Sequence, residues 1–259
     1  MKSLFKLFSI IIIIIASNSY SFAAEKVEYL KTDWSFKGLF GKFDRGALQR
    51  GYQVYTEVCS SCHSMKYLSY RNLAEKGGPE FTQEQAKAIA ASFEVKDGPN
   101  ADGEMFTRPG KLSDKFINPY QNVQEAMASN GGAYPPDMSV LVKARKGGAD
   151  YIYSVLMGYE DPPSGMILDD GVYYNKYMPG NKIKMSQPLM SGAVEYIDGT
   201  VSSEEQMSKD VVAFLAWAAE PHLEARHKIG FRAIVYLLII TVLVYFSMKK
   251  LWSRIESKI

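Results

Sequence analysis

Five consecutive residues, Cys59-Ser60-Ser61-Cys62-His63, constrain this chain more than any other feature, because they contain its only two cysteines. Two thiols separated by two residues lie on one turn, where both can form thioethers with the vinyl groups on one side of a haem. The histidine that follows is then placed to coordinate the iron from the proximal face. The motif occurs once, so we expect one covalently bound haem c, with Cys59 and Cys62 as the attachment points and His63 as an iron ligand.

Other uses of the two cysteines stay open at this point. A structural zinc site requires four ligands, and the remaining histidines, His222 and His227, lie beside an apolar C-terminal segment rather than a second cysteine pair. A thioredoxin-like redox pair or a plain disulfide would suit an oxidising compartment. Neither of them gives His63 a function, and we therefore favour the haem.

The first 23 residues are typical of a secretory signal peptide. Lys2 and Lys6 precede an apolar run, and small residues occupy the cleavage positions of Ser21-Phe22-Ala23. A retained N-terminal anchor is the alternative, but the run is short for a hydrocarbon layer about 30 Å thick. We expect residues 1–23 to be removed on export.

A second apolar segment, residues 229–248, is long enough for one transmembrane helix. A buried core helix, the alternative, would rarely be apolar on every face. Residues 222–228 are predicted as a juxtamembrane linker, and the basic residues of 249–259 suit a cytoplasmic tail. Together with the signal peptide, this predicts a single-pass protein of the bacterial inner membrane, with residues 24–221 forming a domain on the periplasmic side.

The charge of the predicted exported part is slightly negative, with 27 acidic and 24 basic residues. This balance argues against nucleic-acid binding, which requires a basic stripe. The acidic side chains cluster in predicted loops, where they are either solvated charges or a surface that steers a basic partner; these residues are Glu94, Asp97, Asp102, Glu104, Glu160, Asp161, Asp169 and Asp170. Steering would make the association rate fall as the salt concentration rises.

The apolar periodicity predicts a mainly α-helical domain with long irregular loops. Asp44 is placed to cap a helix whose apolar face leads to Cys59, and Thr82 with Gln85 forms a capping box for a helix to about Phe93. Further helices are predicted at about 122–129, 137–145 and 149–157. A last helix is predicted to begin at a capping box, Ser202–Glu205, and to end just before Pro221. Residues 95–120 are predicted to form a loop.

A haem that only transfers electrons usually has a second axial ligand, and a methionine there raises the redox potential above that of a second histidine. Of the 12 methionines, Met65 is too near the motif to reach the opposite face, and Met207 lies in a predicted helix. Met178, Met185 and Met190 lie in a stretch rich in Pro and Gly that could wrap around the distal side. Sequence spacing does not choose among these three.

Several other stretches match the pattern of a known family: Gly51-Tyr52-Gln53-Val54-Tyr55, Asp97-Gly98-Pro99-Asn100, Gly103-Glu104-Met105-Phe106, Arg108-Pro109-Gly110-Lys111-Leu112-Ser113-Asp114, Pro135-Pro136-Asp137, Ala144-Arg145 and Trp217-Ala218-Ala219-Glu220-Pro221. On these stretches the chain resembles the cytochrome c1 family. The resemblance extends from about Trp34 to the tail. The resemblance implies a cytochrome c-like haem domain, a single transmembrane helix and an electron-transfer function in the cytochrome bc complex, the ubiquinol–cytochrome c oxidoreductase.

The resemblance also implies partners and site residues. The chain would accept an electron from a Rieske iron–sulfur protein and pass it to soluble cytochrome c, in contact with cytochrome b and membrane lipid. It would have no substrate chemistry of its own beyond this one-electron transfer. The family's Gly-x-x-Ile-x-Met pattern falls at Gly180–Met185 and implies Met185 as the distal ligand, and Arg145 would pair with a haem propionate. Some bacterial members have an extra disulfide near the pocket, but this chain has no cysteine left for one.

Other functions remain possible for such a chain. It could be an anchored electron carrier for another complex such as a terminal oxidase, a haem peroxidase or ligand sensor with an open iron position, or a structural domain with a Cys59–Cys62 disulfide. Co-purification with a b-type cytochrome, carbon monoxide binding and a haem stain of a denaturing gel would distinguish these functions.

Overall fold

The computed structural model describes residues 27–256, so the predicted signal peptide and the last three residues of the tail lie outside the described range. Within that range the chain is mainly α-helical with long connections, which confirms the predicted fold class. The helices are α1 (Arg45–Glu57), α2 (Gln83–Ala91), α3 (Val123–Ser129), α4 (Leu141–Ala144), α5 (Gly148–Met157), α6 (Glu204–Ala219) and α7 (Leu223–Glu256). Short 3-10 turns cover Cys59–Ser61, Tyr70–Ala74 and Pro179–Asn181.

The packing of α1 on α6 forms the centre of the domain. Asp44 caps α1 as predicted, because its carboxylate accepts a hydrogen bond from the Ala47 amide at 3.1 Å. The two helices approach so closely at Gly51 that a Cβ there would lie 2.1 Å from the backbone oxygen of Asp210. Arg50 reinforces the contact with two hydrogen bonds to the buried Asp210 carboxylate, at 2.9 and 3.1 Å. This packing fixes the helix that leads directly to the cysteines.

The prediction of a continuous loop over residues 95–120 was wrong. Strand β1 (Glu94–Asp97) pairs antiparallel with β2 (Phe106–Pro109) in this region, with Val95 opposite Arg108. Strand β1 alternates between exposed and half-buried residues, and β2 is almost entirely exposed. Both strands are too short and too little buried to give the alternating apolar pattern that identifies a strand in sequence. A second antiparallel pair joins β3 (Tyr173–Tyr174) to β4 (Lys182–Ile183).

Two helix starts differ from the sequence prediction. The cap of α6 is Ser203 rather than Ser202, and its hydroxyl accepts from the Gln206 amide at 3.1 Å. The helix predicted for 137–145 is restricted to α4, because the Asp137 carboxylate accepts from the Ser139 amide and holds residues 137–139 in a turn. The capping box of α2, formed by Thr82 and Gln85, is present as predicted.

Helix α7 begins at Leu223, so the linker predicted for residues 222–228 is mostly helical. Proline at 221 ends α6, but the residues that follow favour a helix, and Glu224 in the first turn suits the helix dipole. Of the helices in residues 27–256, only this one, over Leu223–Arg254, is long and apolar enough to cross a membrane. Its most apolar 18-residue stretch has a mean hydropathy of 2.3. None of its most apolar stretch is buried in the domain.

Candidate functional site

The cysteine motif lies directly after the C-terminus of α1. Val58 ends the helix, and the 3-10 turn Cys59–Ser61 follows. The amides of Cys62 and His63 both donate to the carbonyl oxygen of Cys59, at 3.2 and 2.9 Å. These bonds close a tight turn over the five residues of the motif.

The imidazole of His63 is buried and held by a backbone oxygen. Its Nδ1 lies 2.8 Å from the carbonyl oxygen of Pro136. A carbonyl only accepts hydrogen bonds, so Nδ1 carries the proton and Nε2 is left as the unprotonated nitrogen. Burial lowers the pKa of His63, against the opposing effects of the Pro136 carbonyl and the Asp137 carboxylate. A neutral ring with a free Nε2 is the form that binds a metal.

A carboxylate holds the Pro136 carbonyl in position, and sequence reasoning assigned it no function. One oxygen of Asp137 accepts from the Ser64 hydroxyl at 2.7 Å and from the Lys66 amide at 3.0 Å. The other oxygen accepts from the Ser139 amide at 2.9 Å. Hydrogen bonds to Asp137 lower its pKa even though burial acts in the opposite direction. Asp137 therefore fastens the Pro-Pro-Asp segment to the residues that follow His63.

The environment of the cysteines does not favour the alternatives to haem. Both are free thiols, so the structure contains no Cys59–Cys62 disulfide. Burial raises the pKa of the Cys59 thiol to about 12, with a further rise caused by Cys62, whereas a redox-active pair depends on a lowered thiol pKa. Within residues 27–256, no group of three or more His, Cys, Asp or Glu side chains could hold a metal ion. The zinc alternative thus has no ligand set in this part of the chain.

A buried asparagine anchors the loop that carries the candidate methionines. The side-chain amide of Asn175 donates to the carbonyl oxygen of Val155 in α5 at 2.7 Å. Its side-chain oxygen accepts from the amides of Tyr177 and Met178, at 3.1 and 3.2 Å. These bonds tie the loop to α5, and the sequence offered no signal for them, because the asparagine and its α5 partner are 20 residues apart.

The three candidate methionines have different surroundings. Met190 is 64% exposed. The sulfur of Met178 accepts a hydrogen bond from the Tyr151 hydroxyl at 3.5 Å. Met185 is partly buried against the core, and the Tyr159 hydroxyl donates to its backbone oxygen at 3.0 Å. Met185 is thus the only one of the three that has all of the following properties: it contacts the hydrophobic core, its backbone oxygen is hydrogen-bonded, and its sulfur accepts no hydrogen bond within residues 27–256.

Arg145 lies at the C-terminal end of α4 and is exposed. Its guanidinium makes a hydrogen bond of 3.4 Å to the backbone oxygen of Ala144, and no carboxylate of residues 27–256 forms an ion pair with it. Its charge partly offsets the rise that burial causes in the pKa of Tyr151. Because Tyr151 also contacts Met178, Arg145 lies on the side of the domain that faces the methionine-bearing loop.

Comparison with known proteins identifies the family. A family model described as "Cytochrome C1 family" matches residues 34–255. The chain belongs to the cytochrome c1 family. The matched range contains the cysteine motif, Arg145, Met185 and almost all of α7, so the family match includes both the candidate site and the apolar helix.

Individual relatives of the cytochrome c1 family agree with this assignment. A cytochrome b/c1 of Bradyrhizobium diazoefficiens is 49% identical over 239 residues, which are 85% of this chain but 35% of that longer protein. A mitochondrial cytochrome c1 heme protein of Arabidopsis thaliana is 48% identical over 225 residues, 87% of this chain and 72% of the relative. Cytochrome c1 of Rhodospirillum rubrum is 42% identical over 242 residues, 87% of this chain and 88% of the relative.

Proposed function

We propose that this chain is the electron-transfer subunit of a cytochrome bc complex and carries one covalent haem c. Cys59 and Cys62 would hold the haem through thioethers, and His63 would bind the iron through Nε2. The observation that carries this proposal is the hydrogen bond between His63 Nδ1 and the Pro136 oxygen, because it leaves Nε2 unprotonated beside two free thiols. When bound, the haem supplies a one-electron couple between Fe(III) and Fe(II).

Met185 is the proposed second axial ligand. The family pattern favours it, and its position against the core supports that choice over the exposed Met190. Met178 is a weaker candidate, because its sulfur already accepts a hydrogen bond from Tyr151. A thioether ligand stabilises the reduced iron and keeps the potential high, which suits a protein that receives electrons from a high-potential donor.

Arg145 is the proposed partner of a haem propionate. Its guanidinium is exposed and forms no ion pair with a carboxylate of the described residues. An arginine is well suited to bind a carboxylate through two parallel hydrogen bonds. The lysines and arginines that do form ion pairs, such as Arg50 with Asp210, are already occupied. Arg145 thus has no carboxylate partner among the described residues and would be available for an anionic group of the haem.

The proposed partners are cytochrome b, a Rieske iron–sulfur protein as electron donor, and soluble cytochrome c as electron acceptor. Helix α7 would span the bacterial inner membrane once and hold the domain on the periplasmic side. Family membership and the exposed apolar surface of α7 support this placement. The acidic loops would steer a basic cytochrome c, although Asp97 contributes little, because it forms an ion pair with Arg108.

A haem stain of a denaturing gel and a redox titration of the purified chain test the proposal together. Met185→Leu should lower the midpoint potential and open the reduced iron to carbon monoxide, because leucine cannot bind iron. Met190→Leu is the matched control and should change neither property. No haem on the wild-type band would refute the proposal as a whole. An unchanged potential and spectrum in Met185→Leu would refute only the assignment of the second ligand.

A further inference from the structure

A short loop between the N-terminal segment and α1 has an apolar tip with no cover from the domain. Leu39 is 57% exposed and Phe40 is 69% exposed, although both lie between buried aromatic residues, Phe36 and Phe43. Contiguous exposed apolar side chains can mark a surface that contacts a membrane or another molecule. The position of this loop on α7 indicates what that contact is.

The loop is rigid. Lys42 donates a backbone hydrogen bond to Ser35 at 2.9 Å and closes the base of the loop. At Gly41 a Cβ would lie 2.3 Å from the carbonyl oxygen of Phe36, so only glycine fits there. Lys37 binds the Asp150 carboxylate with two contacts of 3.0 Å. The exposed tip is therefore held in one place by the domain rather than exposed through local disorder.

The loop is also fastened to the beginning of α7. Arg45 makes two hydrogen bonds to the Glu224 carboxylate, at 2.7 and 3.0 Å. The same carboxylate accepts from the backbone amide of Phe43 at 3.0 Å. These contacts fix the height of the loop relative to the helix, because Glu224 lies in its first turn.

From this anchor the tip extends toward the membrane-spanning part of α7. The ring of Phe40 lies edge-on against the ring of Phe231, with centroids 5.7 Å apart. Phe231 is seven residues beyond Glu224, a distance of about 10 Å along an α-helix. It belongs to the apolar segment predicted to span the bilayer, near the end where Arg232 can reach the headgroups. Phe40 therefore lies at the depth where the helix enters the membrane.

We infer that the Leu39–Phe40 tip inserts into the outer boundary of the lipid bilayer beside α7 and forms a second contact between the domain and the membrane. The partner is phospholipid, since apolar side chains at this depth meet acyl chains. Lys42 follows the tip in sequence, and Lys228 and Arg232 flank Phe231, which the tip contacts; these basic side chains suit anionic headgroups. Two contacts would limit the tilt of the domain on its single helix. The inference rests on the proposed function only in taking α7 as the transmembrane helix.

Photocrosslinking in native membranes tests this inference on the full chain. Phe40 is replaced by p-benzoylphenylalanine, which keeps the phenyl ring, and the protein is irradiated and analysed by mass spectrometry. We expect a gain in mass equal to one phospholipid. Ile167, which is 86% exposed in the loop between α5 and β3, is the matched control and should give no lipid adduct. The same replacement at Leu39 repeats the test if position 40 does not accept the larger side chain.

A third position separates this inference from the proposed function. Leu243 lies in the middle of the apolar part of α7, so benzoylphenylalanine there should capture lipid or a membrane-embedded polypeptide if the helix spans the membrane. Lipid adducts at 243 without any at 39 or 40 would overturn the insertion of the tip and leave the transmembrane helix intact. Adducts of the tip with another polypeptide instead of lipid would overturn it equally. Absence at position 243 of adducts with either lipid or a membrane-embedded polypeptide would refute the transmembrane helix itself.

Discussion

Replacing Gly51 with alanine tests how closely α1 must approach α6 to hold the cysteine motif in place. A Cβ at this position would lie 2.1 Å from the backbone oxygen of Asp210 and 2.7 Å from the Cβ of Phe214. Cβ atoms are essentially never found closer than 3.0 Å to another heavy atom. The helices must therefore move apart locally by about 0.9 Å, enough to forfeit roughly a quarter to a half of each dispersion contact across the gap.

The loss of stability in Gly51→Ala depends on which atom blocks the new Cβ. Overpacking of a core usually destabilises a protein by about 1–3 kcal/mol. The blocking oxygen here belongs to the backbone of a buried helix, which cannot rotate away as a side chain would. We therefore expect Gly51→Ala to lower the free energy of unfolding by about 3 kcal/mol, the upper end of this range. The midpoint temperature of unfolding should fall by roughly 6–12 °C for a domain of this size.

Thermal unfolding of the purified full chain in detergent, followed by circular dichroism, measures this effect. Gly46→Ala is the matched control, since it places the same methyl group on the same helix. Its Cβ would lie 3.3 Å from a guanidinium nitrogen of Arg50 and 3.4 Å from a carboxylate oxygen of Asp44, both of them side-chain atoms that need to shift by at most a few tenths of an ångström. Alanine also favours a helix over glycine by up to about 1 kcal/mol. The control should unfold at or slightly above the wild-type temperature. If Gly51→Ala unfolds together with Gly46→Ala, the close helix contact does not contribute as argued.

Two further predictions concern single carboxylates. Asp137→Asn should destabilise the domain by about 1–3 kcal/mol, because an amide cannot accept from all three donors. The same substitution should raise the midpoint potential of the haem, because it removes a negative charge and loosens the hydrogen bond of His63. Asp161→Asn, in an exposed loop, is the control and should change neither the stability nor the potential. An unchanged potential in Asp137→Asn would contradict the positioning of His63 by Asp137. The pKa of Asp198 is lowered to about 2, first by the Thr200 amide and then by Arg50, so its stabilising contribution is present above about pH 4 and is lost as the pH falls through about 2. Asp198→Asn should flatten the stability profile between these values, and acid unfolding curves that superimpose on the wild type would contradict this.

The features that sequence reasoning predicted correctly are those whose partners lie within a few residues. The Asp44 cap depends on an amide three residues away, and the capping box of Thr82 and Gln85 spans one turn. The turn of the cysteine motif closes on the Cys59 carbonyl within four residues. Local hydrogen bonds of this kind are encoded by residue type and spacing alone. The same signals fail by one residue where two serines adjoin, as at the start of α6.

The features that it missed depend on contacts between distant parts of the chain. The Pro136 oxygen that orients His63 is 73 residues away from it. Gly51 is needed because α6 approaches α1 closely there, and the residues in contact are about 160 positions apart in sequence, like the neighbouring pair Arg50 and Asp210. The pair of strands in residues 94–109 was missed because its residues are mostly exposed. The periodicity of apolar residues does not predict such contacts, since they depend on how the helices are arranged in space.

The absence of a pocket disulfide, noted in the sequence, is explained by the structure through hydrogen bonds. Two side chains link segments around the candidate site without a disulfide: Asp137 fastens the Pro-Pro-Asp segment to the histidine side of the site, and Asn175 fastens the methionine loop to α5. Both act by satisfying several backbone or hydroxyl groups at once, and removal of either leaves buried polar groups without partners, at about 1–3 kcal/mol each. A rigid site is thus obtained while both cysteines remain available for the haem. Asp137 and Asn175 would thus position His63 and the loop that carries Met185, the two proposed axial ligands.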